Sequence, residues 1–249
     1  MKNTNMNNTN INDTVRIAKF IANSGYCSRR DAEELIFQGK VSVNGEIIYT
    51  PALRVPYNSE VLVDGEKILF NSNNEIYLYH KPKGLIVSKN DEKQRATIFD
   101  ELPNNLQGFF SVGRLDKDSS GLLLLTNNGD ISRFLELPKN NIPRKYQVVI
   151  NGKLTGDQLM LIRKGLRIRN FYYKPMKIYT KKSKKNISIY ECSITEGKNR
   201  EIRKVFKYFN LSVLDLFRTN YGPYSIGKLK PSEYIKSDIS LLDLPNIRS

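Results

Sequence analysis

The sequence predicts an α+β protein of two modules: a small helix–helix–hairpin unit over residues 14–70, then a larger domain over 75–240 on a mixed or antiparallel sheet. Three observations predict it. Apolar spacing changes from helical to strictly alternating at "KVSVNG", where Asn44-Gly45 supplies a hairpin turn. "FNSNNE", residues 70–75, is a polar link between two apolar regions. Beyond it, short strand patterns and single amphipathic helices are interspersed, the arrangement of an α+β sheet domain.

The opening "MKNTNMNNTNIND", residues 1–13, is polar and asparagine-rich, with no apolar signal-peptide core; it reads as a disordered tail. Over residues 14–23, Val15, Ala18 and Ala22 share a helical face. "NSGYC" breaks that helix. Ser28 opens a second one with Asp31 in the capping-box position, and Gly39 closes it. "KVSVNGEII" is a hairpin and "VLVDGEKI" another strand and turn. In the larger domain, strands are predicted at "IYLYHKP", "LIVS", "FFSVGRLD", "LLLLT", "KYQVVING", "YYKPMKIYT" and "ISIYECSIT". Helices are predicted after Asn127-Asn128-Gly129, near Leu159, and at "REIRKVFKYF". The last carries Ile202, Val205, Phe206 and Phe209 on one face and Arg200, Arg203, Lys204 and Lys207 on another. Four cations with no interleaved acid on that face call for an anion opposite: a polyanion, Asp116, or both. "KKSKK", residues 181–185, is a solvated hairpin tip.

The chain carries 40 Lys+Arg against 25 Asp+Glu, a formal charge of +15. Seven basic and seven acidic residues balance between Val15 and Phe70, so the excess belongs to the larger domain. Such a charge points to a polyanionic partner, nucleic acid ahead of an anionic membrane. No apolar run approaches the roughly 18 residues of a membrane span. Cys27 and Cys192 have no paired spacing, which fits buried thiols in a reducing cytoplasm. A single histidine, His80, excludes a multi-histidine metal centre and disfavours a Ser-His-Asp hydrolase. No glycine-rich phosphate loop is present, so no nucleotide cofactor is implied. Asp116-x-Asp118, with a lysine between, is a poor metal site. A glycosidase-type carboxylate pair has nothing to set its separation. What remains is one acid, Asp116, in "VGRLDKDSSGLLLLT", read alone as a turn cap for the amides near Ser119 and Ser120.

"RIAKFIANSGYCSRRDAEELIFQGKVSVNG" resembles the alpha-L RNA-binding module along its whole length. The resemblance implies that Arg16, Lys19, Arg29 and Arg30, with Lys40 nearby, hold structured RNA by its phosphates. "HKPKGLIVS", "GRLDKDSSGLLLLT", "RKYQVVING" and "TEGKNREIRKVF" occur in the order found in RsuA/RluB-type pseudouridine synthases, which also carry an alpha-L module in front. This likeness covers about residues 14–236. It implies an isomerase that needs no cofactor or metal. It breaks the N1–C1′ bond of a uridine, turns the uracil and rejoins it through C5. Asp116 matches the family's catalytic aspartate, attacking C1′ or acting as base toward a glycal. Arg203 matches the basic residue that pairs with it and keeps it ionised despite burial. Tyr146 matches the tyrosine that packs on the target ring. Ile202 closes the pocket, and Arg114 fills the space that the flipped base leaves. Arg200, Lys204 and Lys207 are further RNA contacts.

Asn199-Arg200 and "LFRTNYGPYSI" resemble the large-subunit type more than the small-subunit type. The expectation is a cytoplasmic monomer acting on one uridine of large-subunit ribosomal RNA, free or in a pre-ribosomal particle. The alternatives are a small-subunit enzyme, a non-catalytic RNA-binding assembly protein, and a glycosylase that releases free uracil.

Overall fold

A computed structural model describes residues 14–89, 91–106, 108–184, 186–242 and 244. The expected tail, residues 1–13, and Lys185 of the basic tip lie outside them. The chain divides into two compact units between Asn74 and Glu75.

In the first unit, β1 (Thr14–Arg16) pairs antiparallel with β4 (Arg54–Pro56) ahead of α1 (Ile17–Asn23) and α2 (Arg29–Phe37). That pairing keeps Val15 out of the predicted helix. The helix begins at Ile17 and buries Ile17, Ala18, Phe20 and Ile21. The capping box of α2 is formed: Ser28 Oγ accepts from the Asp31 amide at 3.2 Å, and Asp31 Oδ2 from the Ser28 amide at 3.3 Å. Strands β2 (Val41–Val43), β3 (Glu46–Ile48), β5 (Val61–Val63) and β6 (Glu66–Ile68) form a four-stranded sheet in the order β3-β2-β5-β6. Asn44 and Gly45, both at positive φ, make the predicted tight turn.

The second unit is built on one mixed sheet. Its strands are β7 (Ile76–Lys81), β9 (Ser120–Thr126), β10 (Arg144–Asn151), β13 (Lys177–Ser183), β14 (Ile187–Ile194), β15 (Val213–Tyr221) and β17 (Tyr234–Ser237). They run in the order β13-β14-β10-β15-β9-β7-β17, with β8 (Phe110–Ser111) on β9 and β16 (Tyr224–Ser225) on β15. Only β9 and β15 pair parallel, at Ser120–Phe217 and Gly121–Arg218; the other pairs are antiparallel. A separate hairpin joins β11 (Leu166–Ile168) to β12 (Phe171–Tyr173). Helices α3 (Ile98–Glu101), α4 (Gly129–Glu136), α5 (Gly156–Lys164) and α6 (Glu201–Tyr208) complete the unit. One core packs Val148, Ile150, Ile178, Tyr190 and Cys192 of the sheet against Val205 and Phe206 of α6.

Three predicted strands differ from the fold. "LIVS" keeps a single bridge, Ile86 to Thr97, because Gly84 (φ 95°) turns the chain off the sheet; Leu85 and Val87 are buried by packing instead. "FFSVGRLD" pairs at Phe110–Ser111, with the Val112 amide still donating to the Leu124 carbonyl at 2.8 Å, and Gly113 at φ 65° then peels Arg114, Leu115 and Asp116 into a loop. "YYKPMKIYT" splits into the end of β12 and the start of β13 at Pro175, which has no amide to donate.

Candidate active site

The four leucines Leu122–Leu125 of β9 are fully buried, so this strand forms a rigid floor. The turn just before it carries Asp116, closed by the Ser119 amide donating to the Asp116 carbonyl at 3.0 Å. Asp116 therefore sits in the turn before a strand, not at a strand end. Its backbone carbonyl, not its carboxylate, caps that turn, which leaves the side chain free for other work. From below, Lys81 at the end of β7 is fully buried and donates to the Ser119 and Pro82 carbonyls at 3.0 and 2.9 Å. Burial pulls the Lys81 ammonium down to about 8, while the Asp116 and Asp118 charges act the other way. The Gly84 amide donates to the Lys117 carbonyl at 2.8 Å and pins the turn from the side.

Gly121 explains the close join behind the turn. It has φ 109° and lies in register with Arg218 of β15; a Cβ there would fall 2.6 Å from the Arg218 nitrogen and closer still to its carbonyl oxygen. Only glycine lets β9 and β15 approach this closely.

The charges around Asp116 are arranged differently from expectation. Arg200, in the left-handed region at φ 51°, forks onto Asp118 with bonds of 3.0 and 2.9 Å and places Nη1 3.5 Å from Asp116 Oδ2. The hydrogen bonds from Arg200 hold the Asp118 carboxyl below its usual range. Arg203 does not pair with Asp116. Its Nη1 donates to the Val213 carbonyl and its Nη2 to the Asp118 carbonyl, each at 3.0 Å, with Asp118 Oδ2 at 3.3 Å. Committed to two backbone carbonyls, this guanidinium braces the turn. Nor is Asp116 buried: its side chain is 31% exposed at the wall of a cleft of about 470 Å³.

Arg114, Tyr146, Arg200 and Ile202 line that cleft with Asp116. Tyr146 comes from β10 and Ile202 from α6, both buried apart from the faces they present to it. Leu115, which sequence reasoning did not single out, also lines it, as do Asn199 and Leu216 from the two segments that resemble the large-subunit type. Lys204 and Lys207 are exposed and lie outside it. An adjoining cleft of about 310 Å³ shares Arg114, Tyr146 and Lys198, and adds Arg144, Arg218 and Tyr221. There the guanidinium carbons of Arg144 and Arg218 stand 4.7 and 5.0 Å from the Tyr221 ring centre.

An acid pair at the clefts was also missed in the sequence: Glu201 lines the larger cleft and Glu196 the adjoining one. Glu201 is 3% exposed, its Oε2 accepts from the Lys198 amide at 3.1 Å, and Oε1 has no hydrogen-bond partner. Burial, then the neighbouring Glu196 charge, pushes its carboxyl up to about 7. Burial works on Glu196 in the same direction, but hydrogen bonds from Lys198 and the Lys174 amide outweigh it and hold Glu196 low. Their signal was two glutamates flanking "GKNR" in a basic stretch.

In the first unit, Arg16, Lys19 and Arg29 line a cleft of about 320 Å³ together with Arg54 and Tyr57, neither of them predicted. Arg30 is exposed outside it, and Lys40 is held 3.8 Å from Asp64 on the sheet, so the five predicted cations are not one cluster.

Residues 75–208 match the RNA pseudouridylate synthase family, and residues 15–61 match the S4 domain. The chain belongs to the RNA pseudouridylate synthase family. It is accordingly an isomerase with an RNA-binding S4 domain at its front. An RNA pseudouridine synthase of Rickettsia felis is 42% identical over 228 residues, covering 92% of this chain and 99% of that one. The ribosomal large subunit pseudouridine synthase B of Bacillus subtilis is 36% identical over 210 residues, covering 83% and 85%. A solved pseudouridylate synthase superposes with a TM-score of 0.65 at 26% identity, over 91% of this chain and 97% of that one.

Proposed function

We propose that this pseudouridine synthase isomerises one uridine of large-subunit ribosomal RNA, in the peptidyl-transferase region, with Asp116 as its catalytic residue. The observation that carries the reading is the Asp116 carboxylate, held by Arg200 at the wall of a cleft lined by Tyr146 and Ile202. The substrate assignment is supported by relatives named ribosomal large subunit pseudouridine synthase B at 33–37% identity. Work in the cytoplasm, as part of ribosome biogenesis, follows from that substrate.

A uridine turned out of its stack costs a few kcal/mol and brings C1′ to the carboxylate. Tyr146 stacks against the uracil, Ile202 and Leu216 exclude water around it, and Arg114 reaches toward the vacated space. Either route opens by breaking N1–C1′, with the bonding pair leaving on the uracil. In one route Asp116 Oδ bonds to C1′; in the other it removes a sugar proton to leave a glycal. The freed ring turns and C5 bonds to C1′, as the Asp116 Oδ–C1′ bond breaks in the first route or as the proton taken from C2′ returns to the glycal in the second. The C5 proton is lost to solvent and N1 takes one up. No electrons are gained or lost overall. The Arg200 guanidinium, shared with Asp118, lies 3.5 Å from Asp116 Oδ2 and orients the carboxylate at the cleft wall.

Carbodiimide labelling followed by primer extension, on ribosomal RNA from a deletion strain, tests the substrate. A stop missing from large-subunit RNA is the expected result. A stop missing only from small-subunit RNA overturns the subunit and leaves the chemistry standing. Tritium release from 5-³H-uridine RNA tests the residue: Asp116→Asn abolishes release while RNA affinity stays near wild type, since losing one negative charge cannot weaken a hold on a polyanion.

A further inference from the structure

Between Asp157 and Glu191 the chain has ten lysines and arginines and no acid, so this segment alone holds two thirds of the net charge. It contains α5 beyond Asp157, the β11–β12 hairpin and the edge strand β13. Lysines on an edge strand have a bland explanation, since they discourage sheet-to-sheet pairing, and that accounts for Lys177, Lys181 and Lys182 on β13. It does not account for the hairpin, which is off the main sheet. Leu166 and Tyr173 anchor it in the core, while Arg167 and Arg169 are exposed, Phe171 is 62% exposed and Tyr172 49%. Arg167 pairs across the hairpin with Tyr172, which sets a cation beside an aromatic ring on the outward side.

The hairpin is tied to the catalytic cleft. Lys198, which lines that cleft, donates through Nζ to the Tyr172 carbonyl at 2.7 Å. The Lys174 amide, just past the hairpin, donates to Glu196 Oε1 at 2.8 Å. Exposed rings interleaved with cations, and no acid among them, are what unpaired nucleic acid requires: flat faces for bases and charge for phosphates.

We infer that the β11–β12 hairpin is a docking surface for unpaired nucleotides flanking the target uridine, with Phe171 and Tyr172 stacking on bases and Arg167 and Arg169 on phosphates. This deepens the reading of the active site and rests on it.

Fluorescence anisotropy on the full chain tests it with two probes: a synthetic RNA stem-loop with a uridine-containing unpaired loop, and a blunt RNA duplex of equal length. The double variant F171A/Y172A should bind the stem-loop about tenfold more weakly for each lost stack, and the duplex as wild type does. The variant F171L/Y172L keeps apolar area but no ring face, and should lose the same selectivity. The variant R167Q/R169Q should flatten the salt dependence of binding by roughly 1.5 in log–log slope. Unchanged stem-loop binding by both aromatic variants, or equal losses on the two RNAs, would overturn the inference. If wild type binds the stem-loop selectively but isomerises no RNA, the proposed activity falls and the docking surface stands.

Discussion

At the scale of single residues, the two arginines of α6 divide the work that the sequence assigned to one. The resemblance named Arg203 as the partner of Asp116, yet the side chain within reach of that carboxylate is Arg200, at 3.5 Å. Reading helical spacing could not separate them, because Arg200 is at the cap, in a left-handed conformation that turns its side chain back over the cleft. A non-glycine residue held there costs on the order of 1 kcal/mol, and the fork onto Asp118 offsets it. The two should therefore fail differently. Arg200→Ala should lower kcat severely with little change in Tm, since its side chain is 42% exposed and its partners are the acids of the site. Arg203→Ala strips two backbone carbonyls of their donor and should lower Tm, by an amount matching about 1–3 kcal/mol, with activity falling as the turn loosens. Arg203→Lys should recover only part of this, because an ammonium lacks the planar fork that serves two carbonyls at once. Steady-state kinetics beside thermal melts separate the outcomes. Equal kcat losses without a Tm change in Arg203→Ala would mean that it touches the chemistry directly.

At the scale of elements, the site depends on one parallel join in an otherwise antiparallel sheet. Gly121→Ala would drive a methyl group into the Arg218 backbone at a positive φ, two faults at one position, and should destabilise by more than about 4 kcal/mol. A soluble, fully active Gly121→Ala protein would show that β9 and β15 do not pair as described. The acid pair at the clefts makes a second prediction, in pH. With Glu201 raised to about 7, the folded protein holds a proton that the unfolded chain releases near 4.5, so stability falls as pH climbs through that window. Glu201→Gln cannot ionise; its Tm should exceed that of wild type at pH 8 and converge with it near pH 4.5. Parallel curves would mean that Glu201 titrates normally. The elements that sequence made legible are those with local causes: the Ser28 capping box, the Asn44-Gly45 turn, the leucine strand and the apolar face of α6. Those it misread depend on partners distant in the chain. Val15 joins a strand because Val55 pairs with it, and "LIVS" leaves the sheet where the Gly84 amide donates to the Lys117 carbonyl. Lys81 was visible within "HKP", but only the fold shows it bonded to the Ser119 carbonyl beneath the Asp116 turn.

At the scale of the whole molecule, charge and chemistry are distributed unevenly. The unit before Asn74 is near neutral overall, yet it gathers Arg16, Lys19, Arg29 and Arg54 into one cleft; the unit after it carries the excess charge and every residue of the Asp116 cleft. The second unit also has its own hydrophobic core, independent of the first. Removing residues 1–70 should thus leave the catalytic cleft folded and lower affinity for structured ribosomal RNA. The lost contacts are mostly to phosphates, so the salt dependence of binding should shrink by about 0.9 for each one. Chemistry is untouched, and kcat on saturating RNA should stay within a few-fold of wild type while KM rises. Filter binding across a salt series, with tritium release on the same preparations, measures both quantities. An unchanged kcat/KM on the natural site would mean that the front unit does not anchor the RNA. A collapse of kcat with KM preserved would mean instead that it contributes to the geometry of the active site itself.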